Sequence, residues 1–461
     1  ETLLDDEARA RATSVYLPHA VLPMLPSRLS DNLCSLRAKV PRLAMTVSME
    51  IENDWTIGKV AAFESVIEVR ENLSYEDALD NSQFQNMIEV SEGLRRNEIR
   101  LNLNSAELRP RVHKDEISVN VKWPNKATEM IETFMVATNN SIGILLGEKN
   151  APLPWRSHAP PDAPEVEELN AKFKNMGINI ELPMPSVKKF GQSEEAELAS
   201  MLGDWANSGN IEISGLENSD DQDDVAQYLK NVLDPDARKD ILVSLKKAQE
   251  NANDLKSATR RVVDHGLFYL LQRAIYSPEN LGHFGLNLNA YVHFTSPIRR
   301  YADLIVHRQL KSFLNEEEWV HSEEEMTKIS EQCTANSQEA KSIEWELVAN
   351  AFHLHLLRGG NIGSVKDSQD KLELKQWPAR VVGLRNPWIF LDLLDDGAIR
   401  GKLHVSQLGD GRQLSTDEFG LHLINENREK SDDIILSLGQ KFPCRLRGLD
   451  LWSGELDLAP I

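Results

Sequence analysis

The sequence predicts an α+β fold with two units, a mixed sheet with many helices up to about residue 360 and a small β-barrel at the C-terminal end. Three patterns predict this class. Residues 41–70 alternate between apolar and polar side chains, as strands do. Residues 126–147 form a long apolar run that is typical of a buried helix. From Lys371 onwards, short strand-like runs alternate with turn residues, as in a small barrel.

The elements of the first third follow from periodicity. Residues 5–13 predict a short helix, and an extended segment punctuated by prolines comes after it. The strands within 41–70 come next, followed by the long helix 126–147. The proline-rich stretch 151–164 predicts a loop, because proline lacks the N–H that regular structure needs.

An acidic run, "ENSDDQDD" at 217–224, precedes a predicted helix that begins near Val225. Carboxylates can hold a pair of metal ions, but contiguous loop carboxylates mostly point into solvent, so a helix-capping loop is favoured. The aspartates concerned are Asp220, Asp221, Asp223 and Asp224. Mostly helix is predicted from there to Leu357, with a break at the glycine- and asparagine-rich "NLGHFGLNLNA".

The stretch "HFTSPIRRYADLIVHR", residues 293–308, predicts a helix with Ser296 as N-cap and Pro297 as first residue. Arg299 and Arg300 would then lie in the first turn, where the helix dipole disfavours a cation by ~0.3–1 kcal/mol. The sequence therefore predicts that something negative sits there. Just upstream, "HFGLNLNAYVHF" supplies His283 and aromatic rings close to the same site.

Two interpretations of the paired arginines remain open on spacing alone. In the first, they bind a phosphate together with free backbone N–H groups. In the second, they form a structural ion-pair network with Asp303 and Glu279.

The net charge of −21 counts against a polyanion partner at face value. Residues 254–311, however, carry eight cations against four anions, a local excess of +4. A basic segment inside an otherwise acidic chain is typical of an internal anion channel, although a chance distribution of charged residues along the chain explains it equally well. No apolar run is long enough to span a membrane and no secretory leader opens the chain, so a cytoplasmic location is expected.

The C-terminal unit has the strand pattern of an oligonucleotide-binding barrel. Its strands carry Trp388, Phe390 and His404, which either stack on bases or fill the core. For one aromatic alone the core is the commoner fate. Among the three, we expect at least one to face a ligand.

Several stretches resemble the RNB-domain exoribonucleases, the ribonuclease II and ribonuclease R family. These are "DDEARARATSVYLPHAVLPMLPSRLSDNLCSLR" (5–37), "MIETFMVATN" (130–139), "WRSHAPP" (155–161) and "IYSPENLGHFGLNLNAYVHFTSPIRRYADLIVHR" (275–308). The resemblance implies an RNB domain over 1–360, a linker at 361–370 and an S1-type RNA-binding barrel over 371–461. It implies 3′→5′ hydrolysis of single-stranded RNA in a deep channel, with Mg²⁺ and release of nucleoside 5′-monophosphates. It implies no DNA substrate.

The resemblance also implies roles for individual residues. By motif position, Arg299 would contact the scissile phosphate and Tyr16 would line the pocket of the terminal nucleotide. Tyr75 and Glu132 would contact sugar and base near the 3′ end. Arg300 and His283 are expected to contact substrate beside Arg299, and Trp388, Phe390 and His404 to contact RNA on the barrel. A further active-site glutamate corresponds to Glu344 or Glu346, and the register between them stays open.

One departure from the family pattern matters. The family's metal-binding aspartates lie upstream of "LDDEARARATSVYLP", and this chain starts just after that position. No equivalent is recognisable elsewhere in the sequence, so no metal ligand is predicted in this chain. The expected function is therefore an exoribonuclease represented without its metal-binding segment, and the alternative is an inactive RNA-binding or scaffold relative.

Overall fold

The computed structural model describes residues 2–79, 81–99, 107–114, 116–161, 163–182, 235–252, 260, 263, 264, 266–268, 270–357, 376–393, 400–408, 414–417, 420–425, 434–450 and 455–461. The predicted acidic loop 217–224, the predicted helix start at Val225 and the predicted linker 361–370 lie outside these residues.

The first helix and the extended hairpin after it are those that the sequence predicts, whereas the π-helical segment that follows is not. Helix α1 spans Leu3–Arg11, with Thr2 as N-cap. A small hairpin of β1 (Val15–Tyr16) and β2 (Val21–Leu22) follows, and then a six-residue π-helical segment, Arg28–Leu33. Strands β3 (Pro41–Ile51) and β4 (Ile57–Glu68) form a long antiparallel hairpin, which confirms the strand prediction for 41–70.

The next region mixes helices with a second hairpin. Its elements are α2 (Tyr75–Leu79), α3 (Gln85–Arg96), β5 (Glu107–His113), β6 (Glu116–Lys122) and α4 (Lys126–Gly147). Both ends of α4 agree with the prediction. Asn125 and Thr128 form a reciprocal capping box at its start, so local sequence chemistry alone fixes where this helix begins.

Two short strands interrupt regions for which the sequence predicts other structure. Strand β7 (Trp155–Ser157) lies within the predicted loop 151–164 and pairs with β8 (Ile275–Ser277). Helices α5 (Ala163–Asn175) and α6 (Pro235–Asn251) share an apolar core. The region 270–300 is mostly turns and short extended segments, which is a longer break in the helical region than predicted.

Helix α7 spans Tyr301–Asn315, so the predicted start at Ser296 and Pro297 is wrong. The N–H of Tyr301 donates to the Ala12 carbonyl, and the N–H of Ser14 donates to the Arg299 carbonyl. This pairing holds Arg300 extended, at φ −135° and ψ 125°, where a helical residue cannot be. Arg299 and Arg300 therefore precede the helix, because a bridge to distant residues overrides the local capping signal.

Helix α8 (Glu323–Leu357) is the longest in the described part of the chain. Apolar side chains from α1, β8, α7 and α8 form one core cluster. A second cluster joins α4, β7 and the other side of α7. Helix α7 thus lies between two cores, which fixes the position of the arginines at its N-terminal end.

The C-terminal region contains a closed barrel of β9 (Gln376–Arg385), β10 (Trp388–Asp392), β11 (Arg400–His404), β15 (Lys441–Asp450) and β16 (Glu455–Pro460). The order around it is β9-β10-β11-β16-β15, and β11 and β16 are parallel. Gly401 permits that pairing, because a Cβ there would lie 2.6 Å from Leu458. Strands β12 (Leu414–Thr416), β13 (His422–Asn425) and β14 (Ile434–Ser437) form a separate antiparallel sheet.

The barrel core extends into the preceding region, because Phe352 of α8 and Val119 of β6 belong to the same apolar cluster. None of the helices that the structure describes has the length and apolar character that a membrane span requires.

Candidate anion-binding site

Arg300 lies in an ion pair. Its Nε donates to Oδ2 of Asp303 and its Nη2 to Oδ1, both at 2.8 Å. The Asp303 side chain is 0% exposed, and Oδ1 also accepts from the Ser296 N–H at 2.6 Å. Burial alone would lower the pKa of Arg300, but the charge and hydrogen bonds of Asp303 raise it above its usual value. Arg300 therefore forms the structural pair that the sequence left as one alternative.

Arg299 behaves differently from its neighbour. Its carbonyl oxygen accepts from the Ser14 N–H at 2.9 Å and the Thr13 hydroxyl at 3.1 Å, so the backbone is held in place. Its side chain is exposed, and it makes no hydrogen bond or ion pair with the residues that the structure describes. The guanidinium is thus available to an external anion.

Arg156 of β7 lies near these arginines, and it is not among the site residues that the sequence predicts. Its guanidinium carbon lies 4.8 Å from the centre of the Tyr276 ring. Burial lowers the pKa of Arg156, and the nearby positive charge of Arg300 lowers it further. Within the described ranges this guanidinium has no carboxylate partner. The signal that could have identified it is its place in the stretch "WRSHAPP", which the sequence shares with the family.

His293 lies among the arginines and is neutral. Burial, followed by the positive charges of Arg300 and Arg156, places the pKa of His293 well below its usual value. Its Nδ1 is 2.7 Å from the Tyr276 hydroxyl. A neutral imidazole adds no positive charge, so the arginines provide the charge of this cluster.

His283, predicted to contact substrate, is half-buried in a group of rings. Its ring centre lies 4.9 Å from that of His158 and 5.2 Å from that of Tyr291. His158 Nδ1 accepts the Gly285 N–H, so its Nε2 carries the proton and donates to the Gln272 carbonyl at 2.7 Å. Burial lowers the pKa of His158, which favours this neutral tautomer. His158 therefore fastens the segment that carries His283.

The hairpin that bears Tyr16 is joined to the arginine segment. Tyr16 is 47% exposed, and its N–H donates to Oε1 of Glu344 at 2.5 Å. Two residues earlier, Ser14 makes the backbone bond to Arg299. Glu344 is thus the member of the Glu344 and Glu346 pair that contacts the Tyr16 hairpin.

Tyr75 and Glu132 lie on another pair of elements, α2 and α4, which pack against each other. Tyr75 is 39% exposed, and the Lys122 ammonium lies 4.9 Å from the centre of its ring. Glu132 is exposed on α4. Both side chains are accessible at the surface.

A second aromatic surface lies on the barrel. Trp388 pairs with His404 across β10 and β11, and Phe390 pairs with Lys402. The rings of Trp388 and His404 meet edge to face at 4.9 Å, and the Lys402 ammonium lies 4.5 Å from the Trp388 ring. Phe390 is 38% exposed, whereas Ile389 is buried in the barrel core. The three predicted residues therefore share the outer face.

Comparison with known proteins places this arrangement in a family. The model of the RNB domain matches residues 1–316. The chain belongs to the RNB domain family. Arg156, His283, Arg299 and Arg300 all lie within the RNB match, while Glu344 and the barrel follow it.

Ribonuclease R of Thermotoga maritima is 28% identical over 481 residues, covering 98% of this chain and 57% of the relative. The chain thus spans about half the length of the curated relatives it matches. Ribonuclease R of Mycoplasma genitalium, solved in complex with ribose-methylated single-stranded RNA, has a TM-score of 0.73 and 20% identity, covering 100% of this chain and 64% of that chain. Yeast Ssd1, described as a pseudonuclease, has a TM-score of 0.55 and 20% identity, and the match covers 88% of this chain and 44% of that chain. These structures support the RNB fold.

The arginines form a candidate anion site, and the described residues around them offer no candidate cation site. No group of three or more His, Cys, Asp or Glu side chains among the described residues could hold a metal ion. Among the described residues, Asp303 is the carboxylate that acts on these arginines, and its oxygens already accept hydrogen bonds from Arg300 and from the Ser296 N–H. Positive charge at Arg156 and Arg299 would repel a divalent cation.

Proposed function

We propose that this chain holds the 3′ end of single-stranded RNA and forms part of a 3′→5′ exoribonuclease that releases nucleoside 5′-monophosphates. The observation that carries the proposal is the guanidinium of Arg299, which has no partner among the described residues. Its backbone is held beside Asp303, whose carboxylate is already paired with Arg300. A phosphodiester supplies the missing negative charge, and a planar guanidinium binds it through two parallel hydrogen bonds.

The surrounding side chains suit an RNA strand of any sequence. In the proposal, Tyr16 stacks on the terminal base and Tyr75 on a base nearby, while Glu132 accepts from a ribose hydroxyl. Stacking is sequence-tolerant because every base has a π-face, and the 2′-hydroxyl distinguishes RNA from DNA. Arg300 would contact the strand at the edge of the phosphate site while it stays paired with Asp303. His283 would contact the strand from the group of rings that it forms with His158 and Tyr291.

The barrel extends this surface in the proposal. A closed barrel with the order β9-β10-β11-β16-β15 has the strand arrangement expected of an S1-type oligonucleotide-binding fold. Trp388 and Phe390 present rings on its outer face, and His404 and Lys402 lie beside them. This combination of aromatic rings and a cation suits a single strand upstream of the 3′ end.

Magnesium is expected only from the resemblance of the sequence to nucleases. The described residues do not form a site for it, because they contain no cluster of metal-ligating side chains and the arginines repel cations. No step of cleavage is therefore assigned to a metal held by this chain. A cytoplasmic location likewise stays a prediction from the sequence.

The alternative is an RNA-binding relative without nuclease activity. Its support is that yeast Ssd1, which shares the fold, is described as a pseudonuclease. It keeps the roles proposed for Arg299, Tyr16 and the barrel and removes only hydrolysis.

The deciding experiment compares this chain with one extended by the sequence encoded upstream of Glu1, each with a 5′-labelled single-stranded RNA, Mg²⁺ and an EDTA control, followed on denaturing gels and by gel shift. Stepwise shortening from the 3′ end by the extended chain supports the exoribonuclease. Binding by both chains without shortening by either supports the alternative. If the chain shows no affinity for RNA, or an equal affinity for DNA of the same sequence, the proposed site is wrong.

A further inference from the structure

We propose that Arg156 is a second phosphate-binding residue, which holds the RNA backbone next to Arg299. The inference rests on the proposed function, because it assumes that a single strand of RNA occupies the anion site. Arg156 lies within the quoted stretch "WRSHAPP", but it is not among the predicted site residues.

The charge distribution gives the first reason. The guanidinium groups of Arg156, Arg299 and Arg300 all lie close enough to act on the His293 ring. Asp303 is the carboxylate that acts on the neighbouring hydroxyls of Tyr276 and Tyr291. Its two oxygens already accept from Arg300 and from the Ser296 backbone. The cluster therefore keeps two positive charges that no described carboxylate neutralises.

The orientation of Arg156 gives the second reason. The guanidinium carbon lies over the Tyr276 ring, 4.8 Å from its centre, so the contact with the ring uses none of the N–H groups as hydrogen-bond donors to a carboxylate. None of these N–H groups donates to a described residue. Partial burial of an arginine whose N–H groups have no acceptor lowers the stability of the fold, unless an anion binds and accepts hydrogen bonds from them.

The support beneath Arg156 gives the third reason. Its own N–H donates to the Tyr291 carbonyl at 2.8 Å, and β7 pairs it directly with Tyr276 on β8. The Tyr276 hydroxyl is held by His293 at 2.7 Å, and the Tyr276 N–H donates to Thr334 Oγ1 at 2.8 Å. The stacking platform is thus rigid, so little side-chain freedom is lost when a phosphate binds.

A purely structural role is the competing explanation, because an arginine stacked on a tyrosine stabilises a fold without any ligand. The salt dependence of RNA binding separates the two. Each phosphate contact on a single strand contributes about 0.7 to the slope of log affinity against log salt. A structural arginine contributes nothing to that slope.

The experiment measures binding of a short fluorescent single-stranded RNA to the full chain between about 50 and 200 mM salt. For Arg156→Met we expect a roughly 10-fold weaker affinity and a slope reduced by about 0.7. Arg156→Lys keeps the charge and loses the paired donors, so it should weaken binding a few-fold with the slope unchanged.

Arg308→Met is the matched control, because Arg308 also stacks on a tyrosine, Tyr301 at 5.7 Å, but pairs with Asp5. It should lower the melting temperature and leave the slope of RNA binding unchanged. Wild-type affinity and slope in Arg156→Met would overturn the role of Arg156 while leaving the proposed function intact. If Arg156→Met does not fold, wild-type affinity in Arg156→Lys overturns it. Failure of the unaltered chain to bind RNA would overturn both proposals.

Discussion

At the residue scale, two adjacent arginines lie in different environments. The sequence left phosphate binding and ion pairing as alternatives for Arg299 and Arg300 together. The structure pairs Arg300 with Asp303, three residues further along the chain, and leaves Arg299 exposed. Each interpretation therefore describes one of the two residues, with phosphate binding by Arg299 a proposal. Spacing could not separate them, because the backbone direction at this point depends on distant residues.

Replacing Arg299 tests the exposed arginine. We expect Arg299→Ala to weaken binding of single-stranded RNA about 10-fold or more, because a charge-assisted contact is lost. The free energy of unfolding should change by less than about 0.5 kcal/mol, since the side chain is exposed and unpaired within the described residues. Binding titration and urea denaturation measure the two quantities. A stability loss without a change in RNA affinity would contradict the prediction.

Replacing Arg300 should give the reverse pattern. Arg300→Ala leaves the buried Asp303 carboxylate without its guanidinium, which typically costs about 3–5 kcal/mol of unfolding free energy. The matched control is Arg11→Ala, which breaks an exposed pair with Glu7 and should cost less than about 1 kcal/mol. Urea denaturation of both variants checks this, and equal costs would show that the Arg300 pair is not buried as described.

At the scale of elements, prediction succeeds where the determinants are local. The boundaries of α4 follow from its capping box and apolar run, and the β3–β4 hairpin follows from alternation. The start of α7 does not follow from local sequence, because it depends on backbone pairing between residues 12–14 and residues 299–301, which lie near opposite ends of the matched domain. Strand β7 is also missed, since three residues give too short a pattern. Arg156 was missed with it.

Gly147 tests how α4 positions β7. A Cβ on Gly147 would lie 2.9 Å from the ring edge of Trp155, the buried residue before Arg156. Gly147→Ala should therefore push β7 outwards and cost about 1–3 kcal/mol, measured by thermal and urea denaturation.

Gly177→Ala is a useful comparison for Gly147→Ala. Gly177 has a φ of +68°, and a Cβ there meets nothing within 4 Å. Its cost would come from backbone strain alone and should leave the affinity for RNA unchanged, whereas Gly147→Ala should lower it. Equal RNA affinity in the two variants would show that β7 tolerates the extra methyl group.

At the scale of the whole molecule, the charge pattern of the sequence was only partly informative. Within the basic window 254–311, Arg308 pairs with Asp5 and Lys311 with Glu64, so much of the local excess is neutralised by residues outside the window. Arg156, which stays uncompensated by any described carboxylate, lies outside the window. A sum along the chain cannot show which charges meet in the fold.

Buried histidines make the stability of the molecule dependent on pH. Burial lowers the pKa of His158, His293 and His307 in the folded chain. The unfolded chain protonates these rings near pH 6.5, so it binds more protons than the folded chain below that pH. Stability should be greatest above about pH 6.5 and fall as the pH decreases, by up to about 1.4 kcal/mol per pH unit for each ring. Urea denaturation at intervals from about pH 7.5 to 5.5 measures it, and constant stability would refute it.

The backbone bonds between residues 12–14 and 299–301 have a consequence for how an RNA strand would advance. Tyr16 and Arg299 belong to two segments that main-chain hydrogen bonds hold together. In the proposed complex with RNA, the peptide backbone would therefore set the spacing between a stacked base and its phosphate. Side-chain substitutions around the site would change how tightly a strand is held, but not how far it moves. In an active enzyme of the proposed kind, the step length would be one nucleotide for every base sequence.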